Sequence, residues 1–146
     1  MRLIGDIGGT NARFAIAEPG KDPSKVRKLL IAHYAGLVEA LEDYLSGAPT
    51  VEEAVLAVAG PVLGDEVTFT NSAWRFSIDN VRRRLGLRRL VVINDLVAQA
   101  LSFAALPAEE IGSVKSGMRD PIQPTLVIGP GTGLGVAFLM KNAGTV

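Results

Sequence analysis

The chain has 146 residues, 48% apolar and 21% charged, so it can bury a core, form one compact domain and begin another. Its Lys and Arg total 15 and its Asp and Glu total 15; no long-range field draws it to nucleic acid or an anionic membrane, and any phosphate recognition must be local. It has no cysteine, which excludes disulfides and thiolate chemistry, and no apolar run near the roughly 20 residues of a membrane span; with no signal-peptide stretch at Met1 to Asp6, a soluble cytoplasmic α/β protein is expected.

In chain order, Arg2 to Ile7 reads as a buried strand that ends at the tight turn Gly8-Gly9, and Ala12 to Ala17 reads as its return. A third strand is expected over Val26 to His33. Leu37, Ala40, Leu41, Tyr44 and Leu45 then fall on one face of an amphipathic helix closed by Gly47. Ala54 to Ala59 is apolar throughout, the pattern of a central strand covered on both faces. Gly60-Pro61 ends it, and Val67 to Thr70 suggests a short strand.

Ser77 is a fitting N-cap for a helix through Leu85, with Asp79 well placed against the dipole and Gly86 as the stop. Leu90 to Ile93 reads as another buried strand, and Asp95 opens a helix that ends near Leu106-Pro107. The stretch from Lys115 to Pro124 carries Gly, Asp and two prolines and reads as a linker. Beyond it Leu126 to Gly129 and Val136 to Met140 form a second hairpin around a Gly-Thr-Gly turn. The predicted division is a small α/β domain over 1–112, a linker over 113–124 and the start of a second domain over 125–146. Three hairpin-linked strands followed by α/β crossovers make a mixed five-stranded sheet with helices on its faces.

Four segments carry polar chemistry. In Gly5-Asp6-Ile7-Gly8-Gly9-Thr10-Asn11 a carboxylate closes a strand and glycines form the turn. Glycines let backbone N–H groups approach a phosphate, Thr10 adds a hydroxyl, and Asp6 can hold Mg2+ or its waters. A hairpin that simply needs glycine fits the same residues equally well.

Gly129-Pro130-Gly131-Thr132-Gly133-Leu134-Gly135 is neither a Walker A loop nor a dinucleotide fingerprint, since it lacks Gly-Lys-Ser/Thr and leads into strand-like residues. Two Gly-Thr hairpins in one chain suggest a phosphate held between two domains. Asn94-Asp95 ends a buried strand at the edge where α/β sheets gather ligands. Asp95 there serves either as proton acceptor for a hydroxyl or as a helix cap. In Thr70-Asn71-Ser72-Ala73-Trp74, the only tryptophan either packs on a sugar or, more simply, anchors the loop. The arginines at 82–84 and 88–89 read as a solvated face, and His33 has no assigned role.

Taken together, Leu3-Ile-Gly-Asp-Ile-Gly-Gly-Thr-Asn-Ala-Arg-Phe-Ala, Ala57-Val-Ala-Gly-Pro-Val, Thr70-Asn-Ser-Ala-Trp, Ile93-Asn-Asp-Leu and Gly129-Pro-Gly-Thr-Gly-Leu-Gly-Val-Ala resemble the bacterial glucokinase family. They stand in the family's order and span nearly the whole chain. The resemblance implies a ribonuclease H-like, actin-like ATPase fold and phosphorylation of glucose at its 6-hydroxyl by ATP with Mg2+.

Gly5, Asp6, Ile7, Gly8, Gly9 and Thr10 would then make the first phosphate loop, with Asp6 placing the metal through water. Gly131, Thr132 and Gly133 would make the second. Asn94, Asp95 and Asn71 would bind glucose, and Asp95 would be the general base. Glucose and ATP are the implied partners, without nucleic acid or membrane; a homodimer is compatible with this.

Family members continue with a Glu-x-x-His segment, a later glutamate and an adenosine-binding region. This sequence has no Glu-x-x-His and stops at Val146. A truncated chain is therefore expected, one that holds the base and the phosphate loops but binds glucose and ATP poorly and turns over little, if at all. Two other readings share the fold: a sugar-sensing regulator, which predicts a helix-turn-helix before the first loop, and an actin-like structural ATPase, which predicts no Asn94-Asp95 pair beside a Thr70-to-Trp74 loop.

Overall fold

A computed structural model describes residues 1–69, 72–103, 105–118, 120, 122–130 and 134–140. Chain contacts divide it into two units, Met1–Asp95 and Leu96–Val146.

The first unit is built on a five-stranded sheet in the order β3-β2-β1-β4-β8. β1 (Arg2–Ile7), β2 (Asn11–Ala17) and β3 (Ser24–Leu30) form an antiparallel meander, while β4 (Glu53–Val58) and β8 (Arg89–Asn94) add in parallel. This is the mixed sheet expected from the sequence. α1 (Leu37–Leu45) buries Leu37, Ala40, Leu41 and Tyr44, the predicted stripe. Those residues and Val81 of α2 (Ile78–Arg84) join one core cluster with Leu3, Ile7, Phe14, Ile16, Leu56 and Val58.

Because successive strand residues point to opposite faces, the register places Leu3, Ile7, Ala54, Leu56, Val58 and Val92 together on the helix-covered face. The expectations that β4 is covered on both faces and that β8 is buried need correction. Val55 is 36% exposed, and Ala57, Val91 and Ile93 are only half-buried. Both α1 and α2 contribute their apolar stripes to the other face.

The third strand also ends earlier than predicted. Ile31–His33 forms a 3-10 turn rather than continuing β3. The Ile31 amide donates to Thr10 O at 3.0 Å, and Tyr34 N closes the turn on Ile31 O at 3.1 Å.

Between β4 and α2 lies a small sheet for which the sequence showed one strand and the structure has three. β5 (Val62–Leu63), β6 (Glu66–Thr68) and β7 (Arg75–Ser77) are antiparallel. Gly64, at φ +75°, takes the first position of the two-residue Gly64-Asp65 turn, a conformation open to glycine.

Ser77 caps α2 as predicted, its Oγ accepting from Asn80 N at 3.0 Å. At the other end Gly86 has φ +65°, Leu87 N donates to Arg82 O at 2.9 Å, and Gly86 N donates to Arg83 O at 3.2 Å. This paired bonding across a left-handed glycine is a Schellman stop.

In the second unit, α3 (Asp95–Phe103) runs on from Asp95, and β9 (Thr125–Pro130) pairs antiparallel with β10 (Leu134–Leu139). A Cβ on Gly129 or Gly135 would lie 2.7 or 2.6 Å from Leu96 side-chain atoms, so both glycines let the hairpin lie flat on that leucine. Among the described residues, no helix is long and apolar enough to cross a membrane.

Candidate functional site

The parallel strands β1, β4 and β8 end level with one another. Ile7 pairs with Val58, and Val58 with Asn94. Three connections therefore leave one sheet edge: the Gly8–Thr10 turn, the Ala59–Pro61 segment and the Asn94–Asp95 junction. Ligands in open α/β sheets collect at such carboxyl edges.

Backbone bonds hold these connections. Gly8 N donates to Asn11 O at 2.9 Å, which closes the β1–β2 hairpin, and Ala59 N donates to Ile7 O at 2.9 Å, which carries the β1–β4 ladder past the strand ends. The Asn94 side chain is fixed as well, its Nδ2 donating to Gly60 O at 3.1 Å. Gly60 itself is pressed against β6, where a Cβ would come within 2.9 Å of Thr68 O.

Among the residues singled out from sequence, Gly5 lies inside β1 against Leu56 and Phe14, and Ile7 is wholly buried. Only their backbone groups can face a ligand. Asp6, between them, points to the opposite face and is exposed. It pairs loosely with Arg13 across the β1–β2 ladder, with Nη1 to Oδ2 at 3.9 Å. Gly9 and Thr10 border a cavity of about 430 Å3 whose wall includes Ile31, Tyr34, Ser72 and Trp74. Asn94 and Asp95 are half-buried at the β8–α3 junction. Asn71, Gly131, Thr132 and Gly133 lie outside the described residues.

Asp6 suits a hydrated Mg2+. The ion keeps most of its waters and needs one or two carboxylates rather than a protein cage. Among the described residues, no group of three or more His, Asp or Glu side chains is placed to hold a metal directly. The exposed Asp6 carboxylate beside a glycine turn is the kind of donor such an ion takes.

Trp74 acts as the anchor that the simpler reading of its loop anticipated. It is 4% exposed, and its indole Nε1 donates to Tyr34 O at 3.2 Å. Tyr34 in turn donates its hydroxyl to Asp43 Oδ2 at 2.7 Å. That bond raises the Tyr34 phenol above its usual range and, with Arg27 beside it, holds the Asp43 carboxyl below its own.

Of the arginines predicted as solvated, Arg83, Arg84, Arg88 and Arg89 are exposed and Arg82 is half-buried, and four of the five are paired. Arg82 and Arg83 meet Asp79, Arg84 meets Glu42, and Arg88 meets Glu53. Sequence reasoning passed over the part Gly60 plays in fixing Asn94, although Gly60 sits inside one of the singled-out segments. It also passed over the tie between Tyr34 and Trp74, which are 40 residues apart and share no local signal.

A family model described as Glucokinase matches residues 3–146. A glucokinase of Nitrobacter hamburgensis is 47% identical over 99% of this chain, which corresponds to 46% of that protein. The crystal structure of a glucokinase from an Antarctic psychrotroph superposes with a TM-score of 0.87 at 35% identity, covering 97% of this chain and 47% of that one. The glucokinase of Balamuthia mandrillaris, solved in complex with glucose, superposes with a TM-score of 0.62 at 26% identity, covering 98% of this chain and 45% of that one. The chain thus spans about half the length of the relatives it matches.

Proposed function

Because this chain belongs to the glucokinase family, we propose that it carries the proton acceptor and first phosphate loop for ATP-dependent phosphorylation of glucose at the 6-hydroxyl. One observation carries the reading furthest. The Gly8–Thr10 turn and the Asn94–Asp95 junction leave level strand ends of one sheet, with Asn94 already held by Gly60. A hydroxyl nucleophile and a phosphoryl group must meet in line, and catalysis of this transfer is mostly positioning and charge neutralisation.

In this mechanism the Asp95 carboxylate accepts the proton of the sugar's 6-hydroxyl as that oxygen attacks the γ-phosphorus and the bond to ADP breaks. Asn94 and Asn71 orient the sugar through its other hydroxyls. Backbone amides of Gly8 to Thr10 and the Thr10 hydroxyl bind phosphate oxygens, and Gly131 to Gly133 form the second phosphate loop. Gly5 and Ile7 set the backbone from which the first loop springs. Asp6 would hold Mg2+ through water, where the ion's charge offsets that of the phosphates. Glucose as substrate is supported by the glucose-bound relative. A cytoplasmic setting, where glucose and ATP meet, belongs to the same proposal.

The test is glucose-6-phosphate formation with Mg-ATP. It is run on this chain and on a chimera in which residues 1–146 replace the matching 46% of the N. hamburgensis glucokinase. In the active protein Asp95→Asn is expected to lower kcat on the order of 10²–10⁴-fold while changing glucose affinity little. An Asp95→Asn chimera that keeps its parent's kcat would refute the role of Asp95. A chimera that folds but lacks activity would refute the wider assignment.

A further inference from the structure

The cavity of about 430 Å3 beside Gly9 and Thr10 has a consequence for how that turn is held. On its cavity side the turn lacks close packing. Its position there depends on the last bond of the β2–β3 ladder and on a short chain of hydrogen bonds that runs on from it across the first unit. Thr10 O accepts from Ile31 N at 3.0 Å, and Ile31 O accepts from Tyr34 N at 3.1 Å. Tyr34 O accepts from Trp74 Nε1 at 3.2 Å, and Trp74 N donates to Ser72 Oγ at 3.1 Å.

The middle of this chain is a single 3-10 turn of three residues, a weak element with poor bond geometry that needs support from outside. Tyr34 receives it at both ends: its hydroxyl is tied to Asp43 on α1, and its carbonyl to Trp74. A buried indole N–H must find an acceptor, so replacing Trp74 by the smaller ring of phenylalanine breaks this tie, and the packing lost with it must be read by a separate control.

We propose that Trp74 is a positioning residue for the Gly8–Thr10 turn, acting through the Tyr34 carbonyl and the Ile31–His33 turn. This rests on the reading of Gly8–Thr10 as a phosphate loop. It adds that the Ser72–Trp74 segment, next to the sugar-binding Asn71 of that reading, and the phosphate loop are held as one piece. Trp74 touches neither substrate in this account; it fixes the relative placement of the segments that do.

The test reads amide hydrogen exchange residue by residue in this chain, with Mg-ATP titration of the chimera described above, carrying the same substitutions, alongside. Trp74→Phe keeps an aromatic ring in the core and removes the donor. Phe76→Leu, in the same core cluster, serves as the packing control. Exchange at Ile31 is expected to accelerate about tenfold in Trp74→Phe, and in Phe76→Leu no more than at the core amide of Leu56. Mg-ATP affinity is expected to fall about three- to tenfold in Trp74→Phe alone.

Should Trp74→Phe fold poorly, Tyr34→Phe releases the other end of Tyr34 and is expected to speed Ile31 exchange about threefold. Unchanged Ile31 exchange in the folded variants, or equal acceleration in the packing control, overturns the proposal. A wild-type chimera of the kind described above that fails to bind Mg-ATP counts against the phosphate-loop reading alone, because Ile31 exchange in this chain still decides whether Trp74 holds the turn.

Discussion

At Gly60 a backbone carbonyl of β6 occupies the space a side chain would need. The clash would be with Thr68 O, a main-chain atom that cannot rotate away. Gly60→Ala is therefore expected to destabilise the protein by about 1–3 kcal/mol. The same change should release Asn94, whose amide donates to the Gly60 carbonyl. Urea unfolding checks the first effect, and the Asn94 side-chain amide resonance checks the second; unchanged stability would show that β6 yields at no cost. Asn94 and Asp95 were legible in the sequence because two polar residues abruptly end an apolar run. The constraint on Gly60 was not, since it comes from Thr68, which a hairpin folds back onto the loop.

The small elements between β4 and β8 depend on their ends. α2 has seven residues, too few to be stable on propensity alone. Besides Ser77, its first turn is held by Asp65 from the β5–β6 turn, which accepts from the Ser77 hydroxyl and, at 2.8 Å, from Asp79 N. The Ser77 hydroxyl and the Asp79 amide hold the Asp65 carboxyl below its usual range.

The folded chain thus binds that proton less readily than the unfolded chain, whose value lies near 3.9. The resulting stability is present above that value and is lost as pH falls through the lower folded one. Asp65→Asn should lower stability at pH 7 and flatten its decline between about pH 5 and 2. Urea midpoints across that range provide the measurement; wild-type and variant curves that stay parallel would rule out this role.

Among the elements, β1, β2, β4, β8, α1 and α2 could be read from the sequence because each carries a full period of apolar spacing or a cap. β5 and β7 could not, having two and three residues and no room for alternation. The Gly64-Asp65 pair was the available signal for the β5–β6 hairpin. β3 was read too long because Ile31 is apolar like the strand before it; its amide makes the last in-register bond of the β2–β3 ladder, to Thr10 O, and its carbonyl already closes the 3-10 turn on Tyr34 N.

At the scale of the molecule, contacts group Met1–Asp95 and Leu96–Val146, while composition divides the chain at a linker over 113–124. The second unit explains part of its own glycine pattern. Gly129 and Gly135 lie against Leu96, and on the opposite face of the hairpin Leu126, Ile128, Val136 and Phe138 are exposed together. The sequence showed a glycine-lined hairpin but not which glycines serve packing, because Leu96 lies more than 30 residues away. The proposed linker has a direct consequence. Residues 111–118 are all exposed and belong to no helix or strand, and Val114 and Met118 are fully exposed. A protease needs such an extended, accessible stretch, whereas Arg2, Arg13, Arg27 and Lys28 sit in hydrogen-bonded ladders. Limited trypsin digestion is therefore expected to cut first after Lys115. Mass spectrometry would find fragments 1–115 and 116–146 before any cleavage within 1–112. A first cut inside 1–112 would mean that the small domain, rather than the proposed linker, is the segment of the chain that opens most readily.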